Sequence, residues 1–154
     1  MTHRGKWFER EFAAGLGRLK AKWGDDFFYT RLLDAAGLGP RSIADYMAIC
    51  HGLTHLIECK SCSIQTSFPF SYMREHQEQS LLEAARAGAV SVVVVKKAMR
   101  PAAIYGLDIE IWMDVKERMI EAGRSSVPYS ELEKAGVTLP KVDGEWDLEP
   151  IFNP

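Results

Sequence analysis

Apolar residues recur at helical spacing in the first part of the chain: Trp7, Phe8, Phe12, Leu16, Leu19 and Trp23. That stripe predicts an amphipathic helix over about 4–22, with Lys6, Glu9, Arg10, Arg18 and Lys20 on its other, largely solvated face. Residues 27–32 are rich in aromatics and read as a strand. Gly37, Gly39 and Pro40 then break the regularity, so residues 33–43 are expected to form an irregular projecting insert. Residues 45–60, D-Y-M-A-I-C-H-G-L-T-H-L-I-E-C-K, hold two alternating runs about a turn near Gly52, which predicts a β-hairpin.

Beyond the hairpin, residues 61–72 read as a polar loop carrying S-F-P-F. A helix is expected over 74–87, with Leu81, Leu82 and Ala85 inward and Gly88 as its stop. The run V-S-V-V-V-V-K at 90–96 is apolar on both faces, as a central strand covered by helices on both sides must be. A strand at 102–107, a helix at 109–122 and a short helix begun by Ser126-Val127-Pro128 follow, the last with proline in its first turn. Pro140, Gly144 and Pro150 punctuate an irregular tail, 136–154, expected to pack on the body through Trp146 and Phe152. This order predicts an α/β fold, a mixed central β-sheet flanked by helices, in one domain over 1–154.

Composition changes this picture little, and charge changes it more. No apolar run approaches membrane-spanning length, Met1-Thr2-His3-Arg4 begins no signal peptide, and three cysteines cannot make a complete disulfide framework. A reducing cytoplasm is the expected location. The formal net charge is only −2, but residues 1–100 carry 14 Lys and Arg against 10 Asp and Glu, whereas 101–154 carry 5 against 11. Phosphate contacts are therefore expected in the first part of the chain, with the acidic end facing away.

The hairpin carries the candidate chemistry. On its second strand Glu58 and Lys60 share a face, with Ile57 and Cys59 on the other, and antiparallel pairing would bring Asp45 beside them. Two carboxylates can hold a hard divalent cation, and a lysine can neutralise charge or move a proton. Cys50, His51, His55, Cys59 and Cys62 offer a rival reading as half of a structural zinc site. It is the weaker one, because Cys59 falls where a small buried hydrophobe is expected.

These motifs resemble the Holliday junction resolvases of the RecU type, within the PD-(D/E)xK nuclease superfamily. The resemblance rests on R-G-K-W-F-E at 4–9, S-I-A-D-Y at 42–46, E-C-K at 58–60, T-S-F-P at 66–69 and E-H-Q at 75–77. G-x-x-x-E-R at 5–10 is similar to the archaeal resolvases. The chain departs from the pattern where Ala44 replaces the superfamily's proline before the aspartate, and its insert is shorter than the bacterial stalk. A nearly absent N-terminal extension gives the expectation of a minimal, phage-encoded version.

The resemblance implies a restriction-endonuclease-like core and a Mg²⁺-dependent endonuclease, with Mn²⁺ able to substitute. It would resolve four-way junctions by paired incisions leaving 5′-phosphates and 3′-hydroxyls. Asp45, Glu58 and the backbone carbonyl of Cys59 would hold the metal, Lys60 would serve the attacking water, and Glu9 would act through water or a second ion. Arg4, Lys6, Arg10, Arg31, Arg41, Thr66, His76 and Gln77 are the candidate DNA contacts. His76 and Gln77 have helix N-terminal hydrogen bonding as their alternative role. A homodimer is expected, with a recombinase as a further candidate partner and no membrane. The alternatives are a related nuclease of other branched or duplex DNA and a non-catalytic DNA-binding accessory protein.

Overall fold

A computed structural model describes residues 3–33 and 41–153, with side chains described from residue 5 onward. Helix α1 spans His3–Trp23. Phe8, Phe12, Leu16 and Leu19 are buried along one side of it, whereas Trp7 is 65 % exposed and does not join the stripe. The reason is angular: Trp7 stands one residue from Phe8, about 100° around the helix from the i, i+4 row that faces the sheet. Lys20 Nζ closes the helix by donating to Gly24 O at 2.8 Å and Phe27 O at 2.9 Å.

Strands β1 (Phe27–Arg31), β2 (Tyr46–Cys50) and β3 (Leu53–Cys62) form an antiparallel meander in register Phe27↔Cys50 and Tyr46↔Ile57. The β2–β3 loop is the pair His51–Gly52, both at positive φ (48° and 80°), as a tight hairpin whose turn matches the strand twist requires. Residues 34–40, most of the expected insert, lie outside the described residues.

Residues 61–72 are more ordered than the expected loop. After β3, Ser67–Pro69 forms β4 and Phe70–Tyr72 a 3-10 turn. Helix α2 (Glu75–Arg86), β5 (Val90–Lys97), β6 (Ala103–Asp108) and α3 (Ile109–Glu121) follow. Ser126–Pro128 is likewise not the start of a helix but strand β7, antiparallel to β4 with Phe68 opposite Val127. Both of those side chains are fully buried, and the pairing satisfies backbone groups a loop would leave to water. Helix α4 begins only after Pro128, at Tyr129–Ala135.

The tail holds β8 (Val137–Thr138), a small ribbon of β9 (Lys141–Val142) and β10 (Glu145–Trp146), and α5 (Glu149–Phe152). It packs on the body through Trp146, Leu148, Ile151 and Phe152, which join α1 in one core cluster. Gly15 admits this crossing, since a Cβ there would come within 2.6 Å of Leu148.

The six-stranded sheet runs β1-β2-β3-β5-β6-β8, mixed because only β3 and β5 are parallel. On one face lie α1 and the tail; on the other lie α2, α3 and α4 over a second core around Leu81, Val93, Trp112 and Leu132. This is the expected α/β architecture. Among the described residues no helix is long and apolar enough to cross a membrane.

His55, on β3, is buried, with its ring 4.9 Å from that of Phe152 and Nδ1 donating to Leu53 O at 3.1 Å. Burial lowers its pKa below the ordinary histidine value, only partly offset by the carbonyl. The folded state therefore binds this proton less well than the unfolded chain, so His55 destabilises the fold as pH falls through the ordinary histidine range, around 6.5. Urea unfolding should show a smaller loss of stability between pH 7 and pH 5.5 in His55→Gln than in the parent. Equal losses would remove His55 as a cause.

Candidate active site

The hairpin register delivers the two carboxylates. The β2–β3 ladder reaches Tyr46↔Ile57, and one residue earlier the Asp45 amide donates to Ile57 O at 3.0 Å. Asp45 therefore stands beside Glu58, and its Oδ2 accepts the Cys59 amide at 2.8 Å. This backbone bond aims the carboxylate along the end of β3. Cys59 itself turns into the α1-side core, where burial, and then the nearby carboxylates, hold its thiol well above its usual pKa. A protonated buried thiol is a poor metal ligand. Cys59 and Cys62 also sit in separate cores on opposite faces of β3, so they do not form a zinc pair.

Glu58 is 3 % exposed. Its Oε1 receives two donors, Gln77 Nε2 at 2.7 Å and Lys60 Nζ at 3.1 Å. Lys60 shares its face two residues along, as strand alternation requires. Gln77 arrives from α2, where its Oε1 also accepts the Arg74 amide at 3.1 Å. One side chain thus closes the helix N-terminus and orients the carboxylate, so helix capping and site organisation are the same contact. The neighbouring His76 accepts at Nδ1 from Arg41 Nη1, 3.4 Å away.

Glu9 enters from α1. Its carboxylate is largely buried and pairs with Arg31 at 2.6 Å, while the buried Tyr46 hydroxyl donates to its backbone carbonyl at 3.0 Å. Burial raises the Glu9 pKa, Arg31 opposes the rise, Asp45 adds to it, and Lys6 and Lys60 pull it back. The interaction with Asp45 and Lys60 places Glu9 in the same electrostatic neighbourhood. Its carboxylate is directed to Arg31, and among the described residues no three His, Cys, Asp or Glu side chains stand together as a ready metal-binding group.

Sequence reasoning thus located Asp45, Glu58, Lys60, Gln77 and Glu9 around one place, with Arg41 and His76 at its side. Lys6, Arg10 and Arg31 line a cleft of about 320 Å³ with Glu9, Tyr29 and Tyr46. Thr66 is exposed in the bend before β4 and makes no hydrogen bond to the other candidates among the described residues. The Arg4 side chain lies outside the described part. Two residues of this neighbourhood were missed. Tyr46 reads as an ordinary core aromatic in an alternating strand, and only its opposition to α1 reveals the bond to Glu9. Tyr29, in β1, carries no signal beyond strand propensity.

The donor set is hard oxygen, two carboxylates without thiolate or imidazole. That fits a Mg²⁺-type cation, which takes one or two carboxylates and completes its shell with water and substrate phosphate. An aspartate thus stands before one strand, with glutamate and lysine on one face of its neighbour, within a mixed sheet.

A family model, Recombination protein U (RecU), matches residues 29–145, and the chain belongs to that family. The match begins at Tyr29, so α1 and Glu9 lie outside it. The chain is 27 % identical over 113 residues to a Holliday junction resolvase RecU of Pediococcus pentosaceus, covering 72 % of this chain and 52 % of that protein. To a Holliday junction resolvase RecU of a Geobacillus species it is 28 % identical over 95 residues, covering 62 % and 47 %. The chain spans about half the length of these curated relatives. Among solved structures, the Archaeoglobus fulgidus Holliday junction resolvase Hjc is similar over 70 % of this chain and 78 % of that one, with TM-score 0.47 and 23 % identity.

Proposed function

We propose that this chain is a divalent-metal-dependent endonuclease that cuts four-way DNA junctions, with Mg²⁺ as its cation and Mn²⁺ able to replace it. The observation that carries the reading is the placement of Asp45 and Glu58 side by side, with Lys60 Nζ 3.1 Å from Glu58 Oε1. Membership of the RecU family supports it.

Asp45 and Glu58 are the residues that would hold the cation, which when bound lowers the pKa of its water and offsets charge on the phosphate. The Cys59 amide fixes Asp45, and Gln77 with Lys60 fixes Glu58, so the carboxylates need no reordering as charge develops. The Lys60 ammonium, 20 % exposed, would orient the attacking water by donating to it and offset the charge that develops on the phosphate. Lys6, Arg10 and Arg41 grip flanking phosphates without reading sequence. A junction is nearly two-fold symmetric, so two equivalent incisions call for a C₂ homodimer. The three free buried thiols fit a reducing cytoplasm.

The test compares a synthetic four-way junction with a duplex of matched sequence, in Mg²⁺, Mn²⁺ and EDTA. The expected result is paired symmetric incision of the junction in either metal and none in EDTA. Equal cutting of both substrates would replace this reading with a less selective nuclease. Binding without cutting in any metal would replace it with an accessory DNA-binding protein.

A further inference from the structure

The cleft between α1 and β1 holds three cations, Lys6, Arg10 and Arg31, and one carboxylate, Glu9. Lys6 and Arg10 are exposed, and no hydrogen bond or ion pair holds either of them among the described residues. Arg31 is spent on Glu9 at 2.6 Å, yet the two partners are unlike: the Arg31 side chain is 52 % exposed and that of Glu9 only 11 %. A guanidinium half in water is readily taken over by a second anion, and phosphate competes well because it accepts the same two-pronged grip as a carboxylate. The buried carboxylate has no comparable freedom. Once Arg31 leaves, Glu9 loses its main cationic partner while Asp45 remains close enough to repel it. With Lys6 drawn to the phosphate, Lys60 offsets only part of that repulsion, and a cation beside Asp45 adds to the compensation.

We propose that this cleft is a phosphate subsite built as an exchange. A DNA phosphate taken by Arg31, with Lys6 and Arg10, dissolves the Arg31–Glu9 pair and turns Glu9 toward the cation site at Asp45. Without DNA, Arg31 keeps Glu9 out of that site. Substrate and metal therefore strengthen each other's binding through one arginine, and the coupling is reciprocal. The inference rests on the reading that the substrate is DNA, but its test needs no cleavage.

Two double-mutant cycles test it, on the full chain. The first follows Mn²⁺ binding by electron paramagnetic resonance in chloride buffer without DNA. Glu9→Gln alone should change affinity less than threefold, because Glu9 is tied to Arg31. Arg31→Gln should raise it by about tenfold, and that gain should disappear in the Glu9→Gln/Arg31→Gln protein. The second cycle follows binding of a twelve-base-pair duplex in EDTA. Glu9→Gln should tighten it several-fold by releasing Arg31, and the gain should vanish when Arg31 is also replaced. Arg31→Thr, a good strand former, serves both cycles should the glutamine variant not fold.

Gains of equal size in both backgrounds would mean that Arg31 and Glu9 act only as distant charges, and would overturn the exchange. A tenfold loss of Mn²⁺ affinity in Glu9→Gln without DNA would overturn it too, since Glu9 would already serve the cation. A protein that shows both couplings but cuts no junction keeps this inference and loses the proposed activity. One that cuts junctions with additive cycles does the reverse.

Discussion

Glu58→Gln is expected to cut junction DNA at least about a thousandfold more slowly than the parent, while binding the junction as before. The side chain is 3 % exposed and held by Gln77 and Lys60 on one oxygen. An amide of the same shape keeps the packing and can still accept those hydrogen bonds. What it lacks is the negative charge, half of what the two carboxylates offer a cation. The basic cleft of Lys6, Arg10 and Arg31 lies on the α1 side and is untouched. A thousandfold corresponds to about 4 kcal/mol at the transition state, well within what a bound cation contributes. Asp45→Asn should behave alike, since its one side-chain oxygen, Oδ1, can take the place of the Asp45 Oδ2 that accepts the Cys59 amide. Single-turnover cleavage with saturating enzyme separates the rate from binding, and gel shift in EDTA measures the binding. Either variant cutting at close to the parent rate would remove the carboxylate assignment.

The second large effect is on stability. Trp112 is fully buried at the centre of the α2–α3 core, edge-on to Phe68 at 5.7 Å and Phe70 at 6.3 Å. Its Nε1 donates to Glu78 Oε2 at 2.7 Å, while Lys116 Nζ takes the other oxygen of that buried carboxylate at 2.7 Å. Trp112→Ala loses the ring packing and leaves half of Glu78 without a donor, an expected cost of about 3–5 kcal/mol or somewhat more. Against a typical total of about 5–15 kcal/mol, that brings the protein close to unfolding. Trp112→Phe keeps most of the packing and removes only the N–H, so about 1.5–3 kcal/mol should be lost. Urea unfolding of the three proteins gives both numbers, and a Trp112→Ala loss under about 1 kcal/mol would contradict this description of the core. The consequence reaches the site, because α2 carries both Glu78 and Gln77: loosening the helix loosens the partner of Glu58.

Among the elements, those with a local signature were legible. The i, i+4 row Phe8–Phe12–Leu16 defined α1, and the V-S-V-V-V-V run defined a strand buried on both faces. The alternation around His51–Gly52 defined the hairpin. Strand parity alone put Glu58 and Lys60 together, and hairpin pairing alone put Asp45 beside them. Each of these depends only on neighbours in the chain and on fixed periods of 3.6 and 2.

What only the tertiary structure decided has the opposite character. Ser67–Pro69 and Ser126–Pro128 are each too short and too rich in turn residues to announce a strand, and they become strands by finding each other. The tail elements exist because β8 joins an open sheet edge and Phe152 meets His55. Trp7 was apolar enough for the core and is excluded by its angle on the helix. At the site, spacing along the chain carries no information on whether Glu9 pairs with Arg31, or whether Gln77 reaches Glu58. Those outcomes are settled by packing α1 and α2 onto opposite faces of the sheet, where desolvation makes each buried carboxylate take the nearest available donor. The sequence by itself determined that Asp45, Glu58 and Lys60 are neighbours; the packing of two helices on one sheet decided how Glu9 and Glu58 are held.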